Sequence, residues 1–270
     1  MLIYISFDKC KIFKLVNIFS RNQDPLYQVR SYMDAYNSNL AEALVPGKYL
    51  CVDESMNQWL GHGMPNIRKI PRKPHPVGQE YKTVADTTTC CIIRLDFTCD
   101  KLKGKFDDQH KAKTIASVAR LTEPWHNSGR TIIADSWFGS PAMVRDMKNY
   151  YGLFSIMQVK KRLYYPKGMP KPDILQQLDE EFGRSLTYVS LKDDVFVTAL
   201  RDLKPKLVIA NCSVTSVRRV ESEKIVRRLK DGNVKSMFRP SIINEYEINK
   251  GLYKTYNISY VSLEHLRSKQ

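Results

Sequence analysis

The stretch VPGKYLCVDESMNQWLGHG, residues 45–63, decides how this chain is read. Pro46-Gly47 ends whatever precedes it, and Tyr49-Leu50-Cys51-Val52 is a short apolar run that stops at the acids Asp53-Glu54. A run of that length bounded by turn residues has the pattern of a buried strand, here with carboxylates at its C-terminal end. A second stretch, RTIIADSWFGSPAMVRDMKNYYG at 130–152, repeats the arrangement, because Thr131-Ile132-Ile133-Ala134 ends on Asp135. Ser140-Pro141 then caps and opens a helix reaching to about Tyr150. Strand ends of α/β sheets are where ligand groups collect. Two carboxylates from different strands can hold hard divalent cations, which take oxygen ligands. Two such ions about 4 Å apart stabilise the attacking and leaving oxygens of a phosphoryl transfer. Either aspartate by itself reads as a turn or cap residue, and it is the pair that points to chemistry. The expectation is that Asp53 and Asp135 sit on adjacent strands with their carboxylates facing one another.

Outward from these blocks, Asp24-Pro25 opens a helical pattern through Leu26, Val29, Met33, Leu40 and Leu44. Gly61, Gly63 and Pro65 mark a loop, followed by a basic segment from Arg68 to His75 broken by Pro71 and Pro74. Tyr81–Ala85 and Cys90–Phe97 read as strands joined by the turn Asp86-Thr87-Thr88-Thr89. Lys111–Leu121 reads as a helix and Leu153–Val159 as a strand. The basic turn Lys160-Lys161-Arg162 leads to a helix around Ile174–Leu178. Thr187–Leu191 with Val195–Leu200 form a hairpin, Leu207–Ala210 is a further strand, and the stretch from Arg218 to Arg239 is rich in Lys and Arg.

Composition bounds the partners. The chain has 270 residues, 43% of them apolar, and a formal charge of +15 from 43 Lys+Arg against 28 Asp+Glu. That surplus attracts polyanions. No stretch reaches the ~18 apolar residues that a membrane span needs, and the opening residues fit no signal peptide because Asp8, Lys9, Lys11 and Lys14 interrupt them. The cysteines, Cys10, Cys51, Cys90, Cys91, Cys99 and Cys212, form no CxxC pair and no zinc spacing. Cys51, Cys90 and Cys91 read as buried free thiols in strands, which suits a reducing, intracellular setting.

Taken with the segment RKIPRKPHPVGQEYKTVAD at 68–86, the two blocks resemble the piggyBac transposase family. Asp53-Glu54-Ser55-Met56, Gly61 and Lys73-Pro74-His75-Pro76-Val77-Gly78 match its DE-x-M strand, glycine and KPHK-x-G-like element. Asp135-Ser136-Trp137-Phe138-Gly139-Ser140 is similar to its D-N-F-F-T-S turn, and Asp24-Pro25-Leu26-Tyr27-Gln28-Val29-Arg30 to its D-P-L-x-x-V-R lead-in. The resemblance implies an RNase H-like mixed sheet flanked by helices, with an inserted β-rich segment. It divides the chain into a poorly defined segment 1–23, a catalytic domain 24–250 and a divergent or truncated tail 251–270. It also implies a piggyBac transposable element-derived protein of the DDE type that acts on DNA in the nucleus with Mg2+, with room for a homodimer. Asp53 and Asp135 match the first two catalytic, metal-holding aspartates.

The third acid breaks the match. Counting from Tyr246 and Gly251, the resemblance places it at Lys254, and the acid that often follows is replaced by Asn257. An ammonium is repelled by the cations that a carboxylate holds, a reversal worth several kcal/mol at about 4 Å. Catalysis is therefore expected to be impaired. The alternatives are a domesticated DNA-binding or scaffold protein without nuclease activity, and an active magnesium-dependent nuclease with Glu247 as substitute, or Glu245 or Asp202. Phosphate contacts are expected from Arg68, Lys69, Arg72, Lys73, Lys160, Lys161 and Arg162. Trp59, Trp125 and Trp137 could stack on an unpaired base, although core packing is the expectation for each.

Overall fold

The structure is a computed structural model that describes residue 24 and residues 26–250, other than 60–61, 63–66, 72, 74–75, 99, 101, 103, 161–181, 191–193, 213–223 and 229–230. Helix α1 covers Tyr27–Ala43, just inside the span that the apolar spacing suggests. Its start is fastened by charge. Asp24 is fully buried and accepts hydrogen bonds from the Leu26 amide (2.9 Å) and the Arg30 guanidinium (2.8 Å), while Arg30 also holds Asp100 at 2.7 Å. The Asp24 and Arg30 of the lead-in motif are thus a clamp joining the helix to the chain at Asp100.

Strand β1 covers Tyr49–Gln58, β2 Ile67–Lys69, β3 Val77–Asp86 and β4 Ile92–Phe97. Two sequence expectations are corrected here. The first strand does not stop at Asp53-Glu54. It pairs antiparallel with β3 as far as Gln58↔Gly78, so its polar second half is held by backbone bonds that need no apolar side chains. Part of the basic segment, Ile67–Lys69, is a strand hydrogen-bonded to β3 instead of a loop. Among the described residues no strand pairs with β4 beyond β3. Side chains of α1 bond its outer edge instead: Tyr36 donates to the Ile92 carbonyl (2.9 Å), and Asn37 exchanges two bonds with Leu95 (2.9 and 2.8 Å). This covers an edge that would otherwise pair with another chain. The turn before β4 overturns another expectation, since Cys90 is half-buried and Cys91 exposed. Asp86 accepts from Gly47, from the Thr89 amide and from the Thr89 hydroxyl, drawing this turn closed and leaving both thiols outside the core.

Helix α2, Lys113–Thr122, runs into a 3-10 turn at Glu123–Trp125. Strand β5, Thr131–Ala134, leads to helix α3, Pro141–Tyr151, and strand β6, Phe154–Gln158. Ser140 caps α3 by accepting the Met143 amide at 3.2 Å, and Gly152 ends it at φ 60, a left-handed conformation that glycine adopts without strain. β5 and β6 lie parallel to β1 and to each other. β7 (Ser185–Ser190), β8 (Val195–Leu200) and β9 (Lys206–Ala210) extend the sheet antiparallel through β6, and the expected hairpin is β7–β8. The resulting nine-stranded mixed sheet has the order β2-β3-β1-β5-β6-β9-β8-β7, with β4 on β3. β10 (Lys224–Arg228) and β11 (Val234–Phe238) form a separate two-stranded ribbon, and a last helix, α4, occupies 241–250. This is the RNase H-like arrangement, with the added β-rich stretch between β6 and α4. The expected helix around Ile174–Leu178 lies outside the described residues, as do the segments 1–23 and 251–270.

Each face of the sheet carries its own core. Leu50, Val52, Ile132 and Ala134 face α2 and α3, packing with Ile115, Val118, Met143 and Met147. Ile133 and Ile156 face the other way and pack with Ile242, Ile243 and Tyr246 of α4. Alternation along a strand does this, and it decides where the acids point.

Replacing Asp24 by Asn should lower stability by about 1.5–3 kcal/mol, the worth of a hydrogen bond to a charged group, as read by denaturant unfolding. Its hydrogen bond to Arg30 holds the carboxyl below the ordinary range against the opposing effect of burial. The charge therefore stabilises fully above the unfolded carboxylate pKa of about 4. That contribution should fade as acid carries the pH below it in the parent protein and be missing from Asp24→Asn.

Candidate active site

The pairing of β1 with β5 ends at Val52↔Ala134, so the next residue on each strand is an aspartate, Asp53 and Asp135. Here β5 turns away while β1 continues with β3 alone, opening the sheet beside the two acids. By alternation Asp53 shares the face of Cys51 and Asp135 that of Ile133, which is the face covered by α4. Both are half-buried.

The local hydrogen bonds fix each carboxylate. Asp53 accepts the Glu54 amide at 2.8 Å. Asp135 accepts the Trp137 amide at 2.8 Å, and its carbonyl takes the amides of Phe138 and Gly139 at 3.2 Å each. The turn is tight because Gly139 lies against the Gln158 carbonyl, where an added Cβ would stand 1.9 Å from the oxygen.

Electrostatically the two acids sense one another. Burial, above all, pushes the Asp53 carboxyl above the ordinary carboxylate range. The charges of Asp135 and Glu54 push the same way, against the Glu54 amide and the Lys73 ammonium. Lys73 reaches this point by donating to the Glu54 carbonyl at 2.8 Å. Tyr246 of α4 closes the other side. Burial raises its phenol pKa first, and the charges of Asp135, Glu247 and Asp53 add to the effect. An oxyanion beside these acids is disfavoured, so this phenol stays a hydrogen-bond donor.

The substitute acids are already engaged. Glu247 is paired with Lys206 (3.1 Å) and Lys250 (2.5 Å). Burial works to raise its pKa, but the two lysines outweigh it and hold the carboxyl below its ordinary range. Asp202 is paired with Lys206 (3.1 Å) and Arg227 (3.2 Å). Glu245 accepts from Asn249 and lies beside Tyr49. Among the described residues no three His, Cys, Asp or Glu side chains converge on one metal position. Asp53 and Asp135 are suited to share one divalent cation, since neighbouring carboxylates whose charges repel gain from an ion between them. Position 254 lies outside the described residues.

The expected phosphate-binding residues are scattered. Lys69 and Lys160 are exposed. Arg68 lies on β2 with its guanidinium 2.5 Å from Glu80, and Lys73 is beside Asp53. Arg72, Lys161 and Arg162 lie outside the described residues. On the sheet face opposite the acids is a cluster that the sequence reading missed. Lys82 is buried, bonded to Glu54 (2.7 Å) and Glu80 (3.2 Å). The signal available was the alternation of Glu80 with Lys82 inside a strand, where buried charges require partners.

Residues 10–270 match the model of a family described as Transposase IS4, and the chain belongs to that transposase family. Among solved structures it is similar to a piggyBac transposase, seen in a synaptic complex with hairpin DNA, with a TM-score of 0.65 and 18% identity. The match covers 88% of this chain and 45% of that one, so the chain spans less than half the length of the structure it matches. No curated protein matches the sequence.

A carboxyl whose pKa is raised on folding costs stability once ionised, because the unfolded chain releases its proton at lower pH. Asp53→Asn should therefore raise the thermal midpoint at neutral pH and leave it little changed in acid. Carboxyl titration by NMR should place Asp53 above the usual range, and Asp135→Asn should move it down.

Proposed function

We propose that this transposase-family domain binds DNA through its basic surface and holds at most one divalent cation, weakly, between Asp53 and Asp135. On this reading it does not cut DNA as it stands. The observation that supports it is the juxtaposition of Asp53 and Asp135 where β1 and β5 part, with the nearby acids Glu247 and Asp202 committed to Lys206, Lys250 and Arg227. A magnesium ion bound there would polarise a phosphate oxygen. The protein's share is to hold that ion with two carboxylates, to keep Tyr246 protonated beside it and to set Lys73 near the phosphate. Stabilising both the attacking and the leaving oxygen takes two metals, and the family resemblance puts a lysine, Lys254, in the sequence position of the third acid. The formal charge of +15 favours association with phosphate backbones, and action on DNA would place the protein in the nucleus.

A second reading keeps catalysis, with Glu247 as the third ligand. Its position next to Tyr246 favours this, but Glu247 would have to leave two lysines for the metal.

Purified protein with magnesium or manganese should leave supercoiled plasmid intact. Nicking that is lost in both Asp53→Ala and Glu247→Gln would instead establish the second reading. Duplex binding followed by mobility shift should weaken at least about tenfold between 50 and 200 mM salt, as counterion release demands. Affinity that ignores salt would contradict the DNA-binding reading.

A further inference from the structure

The tryptophans part company in the structure. Trp125 is buried in the core, and the Trp59 indole nitrogen is shielded from solvent. Trp137 is 56% exposed, against the expectation that its ring packs inside. It lies two residues beyond Asp135, within about 7 Å of chain. Yet its ring is on the other side of the sheet end, with the Lys82 ammonium 5.3 Å from its centroid. An indole this exposed is expensive in water unless something covers it.

Its support is rigid. The Trp137 amide is tied to Asp135, Phe138 beside it is buried, and Gly139 is pressed against Gln158. Lys82 is itself fixed by Glu54 and Glu80. The ring is therefore held at one place beside the candidate acid, so little entropy is lost when a flat group stacks on it.

Trp137 also lines a cleft of about 620 Å3 between α1, β4 and α2. That volume lies within the range of about 300–1,000 Å3 usual for small-ligand sites. Several of the cleft's acids are already matched, as Arg120 holds Asp96 and Asp107 and Arg30 holds Asp100. Arg94 and Lys113 line it without an ion-pair partner among the described residues, against Asp34 on the acidic side. The Arg94 Nε is shielded from solvent and has no hydrogen-bond acceptor. That Nε faces away from the open cleft, and it is the charge of Arg94 and Lys113 on the lining that favours a phosphate there.

We propose that Trp137 is a stacking platform for one unpaired base of the DNA, and that the cleft it lines receives the phosphate of that nucleotide. This rests on DNA being the ligand of the domain. Inside a duplex both faces of a base are occupied by its neighbours, so the platform serves a base out of the helix. Every base offers a π-face, so the site is indifferent to sequence. A strand whose phosphate lies at Asp53 and Asp135 meets Trp137 on rounding the end of β5.

The test is binding in EDTA, which removes metal chemistry, with two probes: a fully paired duplex, and the same duplex carrying a single-stranded overhang that contains 2-aminopurine. The parent protein should bind the overhang probe more tightly and quench its fluorescence. Trp137→Ala should abolish the quenching and weaken overhang binding about 5- to 100-fold, while changing duplex binding less than about twofold. Trp137→Phe should keep most of both, showing that an aromatic face is what matters, and Arg94→Gln should weaken the overhang probe more than the duplex. Equal loss on both probes in Trp137→Ala, or unchanged quenching, overturns the inference while leaving DNA binding in place. Failure of the parent protein to bind either probe overturns the DNA reading beneath it.

Discussion

β1 and β5 run parallel only from Tyr49↔Thr131 to Val52↔Ala134, yet much of the molecule is arranged by that short ladder. It sets the register in which Asp53 and Asp135 become neighbours, and it sits in the middle of the sheet with a separate core on each face. Parallel strands need a crossover between them. Here the chain between β1 and β5 builds β2, β3, β4 and α2 before returning. Because β5 stops while β1 goes on with β3, the sheet opens at the acids, and the turn after Asp135 can carry Trp137 to the opposite face. A one-residue slip in this ladder would face the acids into opposite cores.

The site works against the stability of the fold around it. Asp53 is held where burial and Asp135 both oppose its ionisation, a local cost of the kind that collects at functional sites. The acids around it are treated differently. Glu54, Glu80, Asp202 and Glu247 each have a lysine or arginine within reach. Asp53 is met more distantly by Lys73, whose ammonium bonds the Glu54 carbonyl. A charge left partly uncompensated beside a like charge is the physical signature by which this pair stands out from the surrounding ion pairs.

Much of this was legible in the sequence. The apolar runs at 49–52, 131–134, 153–159 and 207–210 all lie in or overlap strands, because a buried strand must be apolar on both faces. Ser140-Pro141 and Gly152 bound α3 because capping chemistry is local. Other elements were hidden. The second half of β1, Ser55-Met56-Asn57-Gln58, is mostly polar and held through the backbone of β3. β2, β10 and β11 are short, largely exposed strands, the first two rich in Arg and Lys, with little apolar periodicity to betray them. The Asp24–Arg30–Asp100 clamp joins residues 70 or more apart, and no local pattern announces such a partner. The exposure of Trp137 depends on which way a turn leaves the sheet, a turn in which Gly139 lies against the Gln158 carbonyl.

On the proposed reading, Asp53 and Asp135 hold metal as a pair without a third acid. Mn2+ binding, counted by electron paramagnetic resonance of free ion at equilibrium, addresses it without any DNA chemistry. No more than one ion per chain should bind, weakly, and it should be lost in Asp53→Ala and in Asp135→Ala alike. Two ions per chain, or one that survives both substitutions, would contradict it.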